Sequence, residues 1–348
     1  MLQFTHTLLD KLSVHHVGNQ TNDEGLYLSK ALTDVNDDRL EELLLKFFLS
    51  PFTTPEFYSF TFSNEDFKLN PLYHFAEEIF DQGSSFHLQS VNLAKHLYEL
   101  STHPQIKSGD LFVVYFSNVT YGEEAHDAIG IFKSENRQAF LKLDQRSDDF
   151  VLRHEDGINI DKLDKGCLII NTEKDSGYRV CMVDKSNRSA EAQYWKDSFL
   201  QLKACRDEYH LTKEFLGITK NFVTQQMSEE FDVSKADQID LLNRSVAYFK
   251  THDTFDKQEF EEEVFQDNGL IKSFRNFDES YREQNELELS DTFDISPQAV
   301  KKQARVFKSI LKLDKNFHIY IHGNRELIEQ GVDPNGRKYY KIYYTEES

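Results

Sequence analysis

His318 and His322 stand four residues apart, a spacing at which two imidazoles can share one metal ion on a helix. Their context, NFHIYIHG, alternates as a strand does, and on a strand the two side chains share a face about 13 Å apart, too far for one ion. His15 and His16 form the other close pair. Both pairs therefore read as structural or surface histidines. Cys167, Cys181 and Cys205 form no CxxC, HExxH is absent, and the sequence offers no obvious base partner for Cys205. Lys142 and Asp144 in QAFLKLD faintly echo a metal-dependent nuclease, whose acids and lysine occupy neighbouring strand positions, but the sequence places no second acid beside them. GxGxxG, GxxxxGK[ST] and GxSxG are all missing. The chain therefore reads as a non-enzymatic protein with no catalytic residues, metal or cofactor.

The remaining chemistry is charge. The 348 residues carry a formal net charge of -20. From Pro297 to Ser348, however, ten Lys or Arg face six acids, so the last stretch is basic and the rest is more acidic than the whole. Lys301, Lys302, Arg305, Lys308 and Lys312 recur near helical spacing, and Arg337, Lys338 and Lys341 follow. These eight are the candidate phosphate contacts, because Lys and Arg supply affinity for nucleic acid by releasing counterions. Tyr339, Tyr340, Tyr343 and Tyr344 lie among them, as candidate stacking partners or as core. Between Thr254 and Asp294, thirteen acids face four bases, with Phe255, Phe260, Phe265, Phe274 and Phe277 interspersed. That mixture reads as a packed helical region with a solvated acidic face.

The elements that must carry these residues follow from periodicity. Leu12–Val17 reads as a strand. Helical stripes follow Asp37-Asp38 up to Pro51, run from Pro71 to Phe80, and run from Ser85 to Leu100 with Leu88, Val91, Leu93, Leu97 and Leu100 inward. From Gly109 to Asp184 the period changes to that of strands, separated by turns such as Asp156-Gly157 and Asp175-Ser176-Gly177, the pattern of an antiparallel meander. Helices are expected over Leu211–Met227, Lys235–Phe249 and Gly269–Arg282. Ser296-Pro297 then opens a short helix, followed by a hairpin turning at Asp314-Lys315-Asn316 and a last strand over Lys338–Tyr344. The fold class is α+β. Three segments are expected: 1–188 with N-terminal helices and the antiparallel sheet, 189–295 acidic and helical, and 296–348 a basic helix, hairpin and strand. The sparse, odd cysteine count fits a reducing compartment. The first residues lack a signal-peptide pattern, and no apolar run approaches the roughly 18 residues of a membrane span.

Several stretches in order, HPQIKSGDLFVVYFSN with AIGIFKSEN, GINIDKLDKGCLIIN, AQYWKDSFL and NFHIYIHGN…GVDPNGRKYYKIYY, resemble the bacterial 37-kDa nucleoid-associated protein family along nearly the whole chain. The resemblance implies association with the nucleoid in the bacterial cytoplasm. It brings no residue-level motif, so the candidate contacts rest on charge alone. The first expectation is a DNA-binding protein, with duplex DNA met directly or through a partner. The alternative is an acidic adaptor that imitates DNA charge and docks on a DNA-handling protein. A homodimer is compatible with either, and no membrane partner is expected.

Overall fold

The computed structural model describes residues 2–53, 56–146, 149–185, 194–305, 307, 310–321 and 325–346. The chain divides into two compact units, Met1–Cys205 and Arg206–Ser348.

The first unit is a sheet between helices. Its strands are β1 (Leu2–Gln3), β2 (Leu8–Val17), β3 (Leu26–Tyr27), β4 (Phe57–Phe60), β5 (Gly109–Tyr121), β6 (Glu124–Ser134), β9 (Lys165–Ile170), β10 (Arg179–Asp184) and β11 (Leu202–Ala204), with β7 (Gln138–Arg146) and β8 (Asp149–Gly157) set aside. The sheet order is β11-β4-β10-β9-β6-β5-β2-β3, with β1 against β5, and every pairing is antiparallel. The α+β class is as expected, but the simple meander is not. β5 and β6 form a long hairpin, with Gly122 in the left-handed region (φ 66°) at its turn. Among the described residues β7 and β8 then pair only with each other, and β4, from before the third helix, inserts between β10 and β11. β4 and β11 have four and three residues, too few for a periodic signal, and this is why the sequence does not announce them.

Alternation along β5 feeds two cores. Leu111 and Val113 pack with α2 (Pro71–Asp81), α3 (Phe86–Leu100) and the π-helical turn Tyr194–Leu200. Phe112, Val114 and Phe116 pack with Phe47, Phe48 and Leu49 of α1 (Asp38–Leu49). The caps are local: Asp37 accepts from the Leu40 N–H, and Asn70 accepts from those of Leu72 and Tyr73, with Pro71 opening the helix. Leu88, expected inward, is 61% exposed. Gln89 and Ser90 are buried in its place, on the face of α3 that packs Phe86, Leu93, Ala94 and Leu97 into the core, and Ser90 there bonds His15 of β2.

The second unit comprises α4 (Glu208–Asn221), which runs through a π turn into α5 (Met227–Glu230), then α6 (Lys235–Thr251), β12 (Thr254–Asp256), α7 (Lys257–Val264), α8 (Asn268–Gln284), β13 (Thr292–Asp294), α9 (Pro297–Ala304), and the hairpins β14 (Ile310–Leu313)–β15 (Phe317–Tyr320) and β16 (Ile328–Val332)–β17 (Lys338–Ile342). Phe215, Phe222, Phe249, Phe255, Phe260, Phe265, Phe274 and Phe293 share one core. The acidic region is therefore packed, as its phenylalanines suggest. The three-segment division gives way to two units for a physical reason. Trp195, Phe199 and Leu200 complete the core of the first unit, moving its boundary past 188. Val300 and Phe307 share the phenylalanine core, so no boundary forms at 295. The expected helix–hairpin–strand ending is present, and its last strand has a partner, β16, that the sequence reading missed.

Candidate nucleic-acid interface

Ser296 caps α9, its hydroxyl accepting from the Ala299 N–H, while its own N–H donates to Thr212 Oγ1. Ala299 and Val300 are buried by this docking, and Lys301, Lys302 and Arg305 face solvent. Lys301 and Lys302 occupy the last turn, where the helix dipole favours cations. Lys302 Nζ lies 5.7 Å from the centroid of the Tyr209 ring, so part of its charge is engaged within the protein.

The remaining candidates sit on the hairpins. Leu311, Ile321 and Ile328, with Leu313, Ile319 and Tyr340 alongside, pack on Ala236 and Ile239 of α6. That packing turns Lys312 outward, directly opposite His318. Lys338 and Lys341 are both exposed, but at odd separation on β17, so they point to opposite faces. Lys341 Nζ meets Glu329 at 3.5 Å, and the Tyr343 hydroxyl, then Glu329, raise its pKa. Arg337 is exposed at the turn before β17, where its N–H donates to Asp333 Oδ1. Lys308 and His322 lie outside the described residues. The seven described candidates thus occupy one unit but not one uniform face. Alternation on β17 separates two of them, and an acid pairs one. Arg325, absent from the candidate set, is structural: its Nε donates to Asp237 Oδ1 at 2.6 Å and its Nη1 to the Ile328 carbonyl. Burial alone would raise the Asp237 pKa, but hydrogen bonds from Ser234 and Arg325 prevail and lower it.

The faint nuclease echo is placed on the free-standing β7–β8 ribbon. Lys142 pairs with Glu155 at 3.4 Å and Asp144 with Arg153 at 3.9 Å across the strands. The face bearing these pairs is charged, and the opposite face exposes Leu141, Leu143, Phe150 and Leu152. Among the described residues, one group has metal-ligand geometry: His252, Glu259 and Glu263, with ligand atoms within 4.8 Å of one another. Its members already serve the fold, since the His252 ring stacks on Tyr248 at 4.1 Å and the Tyr248 hydroxyl donates to Glu259.

Sequence reasoning also missed a buried charge cluster in the first unit. Lys133 and Lys165 are register neighbours on β6 and β9, and Asp184 is the neighbour of Lys165 on β10. Both lysines are fully buried. Lys165 Nζ donates to both Asp184 carboxylate oxygens at 3.0 Å, Lys133 Nζ pairs with Glu135 at 3.1 Å, and both ammonium groups lie over the Tyr194 ring. Burial lowers the Lys133 pKa against the opposing pull of Glu135. These two cations are spent inside the protein and offer nothing to a phosphate.

A family model described as nucleoid-associated protein YejK matches residues 13–337. The chain belongs to this family. The match spans both units and all of the basic segment up to Arg337; Lys338, Lys341 and the tyrosines of β17 lie beyond it. No curated protein matches the chain. Among the described residues no helix is long and apolar enough to cross a membrane.

Proposed function

We propose that this nucleoid-associated family member is a non-enzymatic DNA-binding protein of the bacterial cytoplasm that meets duplex phosphates through its second unit. The observation that supports this most is the exposure of Lys301, Lys302 and Arg305 together at the end of α9, with Lys312, Arg337 and Lys338 exposed on the hairpins, in a chain of net charge -20. On so acidic a body, DNA is repelled from most of the surface and admitted where cations gather. Contact is therefore selective, and general coating of DNA is disfavoured.

Binding of the full chain to a labelled duplex is expected to weaken steeply with salt. Four to six phosphate contacts correspond to a slope of about -4 to -5 in log affinity against log salt. A Lys301→Ala/Lys302→Ala/Arg305→Ala variant is expected to flatten that slope by about 3. Salt-independent binding, or a slope unchanged in the triple variant, would remove this reading. Incubation with Mg²⁺ or Mn²⁺ is expected to leave labelled DNA intact.

One observation favours the adaptor as a second reading. Glu262 of α7 and Glu279, Glu283 and Glu286 at and beyond the end of α8 are exposed. A protein partner with a basic surface would meet them. Deleting the acidic region cannot test this, because Phe255, Phe260, Phe265, Phe274 and Phe293 belong to the core. Neutralising Glu279, Glu283 and Glu286 to Gln keeps the core and removes three charges. Capture of a DNA-handling protein that survives this change would count against the adaptor.

A further inference from the structure

The two C-terminal hairpins separate their residues cleanly by face. On β14–β15, Leu311, Leu313 and Ile319 join the core on α6, so Lys312, His318 and Tyr320 form the outer face. On β16–β17, Ile328 and Tyr340 join that core, so Tyr339, Lys341 and Glu329 face outward. Of the four tyrosines between Lys338 and Thr345, Tyr340 is thus structural, and Tyr339, Tyr343 and Tyr344 remain exposed.

The geometry of Tyr339 is specific. Gly331 lies directly opposite it, and a Cβ added at Gly331 would stand 2.5 Å from the Tyr339 hydroxyl and 2.6 Å from Cζ. The ring therefore lies across the bare glycine backbone of β16, with 45% of the residue still open to solvent. Two positions on, Lys341 projects from the same face, and its Nζ sits 5.1 Å from the centroid of the Tyr343 ring. The Tyr343 N–H donates to the Leu327 carbonyl at 2.9 Å and holds the chain beside its partner past the end of the strand. Ring, ammonium and ring thus succeed one another from β17 into the residue just past its end, with about 7 Å between successive positions on one face of the strand.

Charge alone does not explain this surface. Between Ile310 and Glu346, six bases face five acids, so the hairpins are close to neutral. A duplex, whose bases are already stacked, can use only those charges. A single strand can also lay its bases on open aromatic rings, a contact tolerant of sequence because every base has a π face. We propose that the outer face of the C-terminal hairpins binds single-stranded nucleic acid, bases stacking on Tyr339 and Tyr343 with Lys341 on the phosphate between them. The proposal rests on the nucleic-acid reading of this unit and narrows its ligand. Glu329, paired to Lys341, lies where it opposes the phosphate and moderates the affinity.

Fluorescence anisotropy on the full chain tests it, with labelled dT20, rU20 and a 20-base-pair duplex at low salt. Tyr339→Ala and Tyr343→Ala are each expected to weaken dT20 about tenfold, within the range for loss of one stacked base, and to leave the duplex unchanged. Tyr339→Phe is expected to retain binding. Gly331→Ala, which displaces the Tyr339 ring without altering any charge, is expected to act like Tyr339→Ala, and Glu329→Gln to tighten binding. Comparison of dT20 with rU20 assigns the strand to DNA or RNA, with the tyrosine effect expected on whichever binds. If the duplex binds with a steep salt slope while Tyr339→Ala and Tyr343→Ala change neither single strand, the stacking surface is overturned and the phosphate reading stands. If no nucleic acid binds at low salt, both fall. Unchanged thermal unfolding of the variants separates lost contact from lost fold.

Discussion

Replacing Asp184 by alanine is expected to destabilise the first unit by about 3–5 kcal/mol, the cost of removing one partner of a buried ion pair. The size follows from position. Lys165 and the Asp184 carboxylate are 1% and 7% exposed, and the ammonium donates to both carboxylate oxygens. Lys165 also has a like charge, Lys133, as its register neighbour on β6. Removing Asp184 takes a carboxylate away from two adjacent buried cations, of which Lys133 pairs with Glu135. The pair itself is a weak source of net stability, because desolvation offsets the attraction. A Lys165→Met/Asp184→Leu double variant is accordingly expected to recover most of the loss. Urea unfolding of the wild type, the single variant and the double variant measures this directly. A single-variant loss below about 1 kcal/mol would show the cluster to be wetter or more adaptable than its burial indicates.

The second large effect is a loss of stability in mild acid. His15 is buried on β2. Its Nε2 bonds Ser90 Oγ at 3.0 Å, its Nδ1 accepts from the Ser29 N–H, and its ring lies 6.2 Å from that of His87, which bonds Ser13. Burial, and then the nearby His87, lower the His15 pKa from 6.5 to about 4. The folded protein therefore refuses a proton that the unfolded chain accepts below pH 6.5. Stability is full above pH 6.5 and falls as the pH drops toward 4. A difference of this size corresponds to about 3 kcal/mol over that window, at most about 1.4 kcal/mol per pH unit. Carboxylates elsewhere also contribute to acid sensitivity, so the measurement is a comparison. His15→Gln is expected to be less stable at pH 7.5 and to show a shallower decline between pH 6.5 and 4. An equal decline in both proteins would assign the acid sensitivity to other groups.

Both effects rest on features that the sequence announces poorly. Lys133 and Lys165 look like ordinary strand-end lysines, since nothing near them in the chain signals burial. They are buried because β6, β9 and β10 bring positions 133, 165 and 184 into one row under Tyr194. His15 was visible as half of a histidine pair, but its isolation from water depends on α3, more than seventy residues away. Leu88 shows the same limit from the other side. An apolar residue at a plausible helical position is left outside, because the face of α3 that turns inward is the one carrying Phe86, Leu93, Ala94 and Leu97, on which Ser90 accepts from His15.

The candidate interface was legible in part. The turn at Asp314-Lys315-Asn316 and the Ser296-Pro297 helix start stand where the residues place them, and the final strand starts at Lys338 as expected but ends at Ile342 rather than Tyr344. The basic residues of α9 are exposed, as the charge reading requires. Opaque in the sequence was which tyrosine would be core. Tyr339 and Tyr340 are chemically identical neighbours, and strand alternation sends one to α6 and the other to solvent.

By itself, the sequence determined the types of element and many of their ends. Helix starts such as Asp37, Asn70 and Ser296 are written in residues that bond backbone groups two or three positions away, and strand periodicity is carried by adjacent residues. It also determined that the acidic region would pack, because its phenylalanines must leave water. Only the tertiary structure decided the sheet order, the row of buried charges and the outward face of the last hairpin. Each of these depends on the register between segments distant in the chain, and a shift of one residue would send every side chain to the other face.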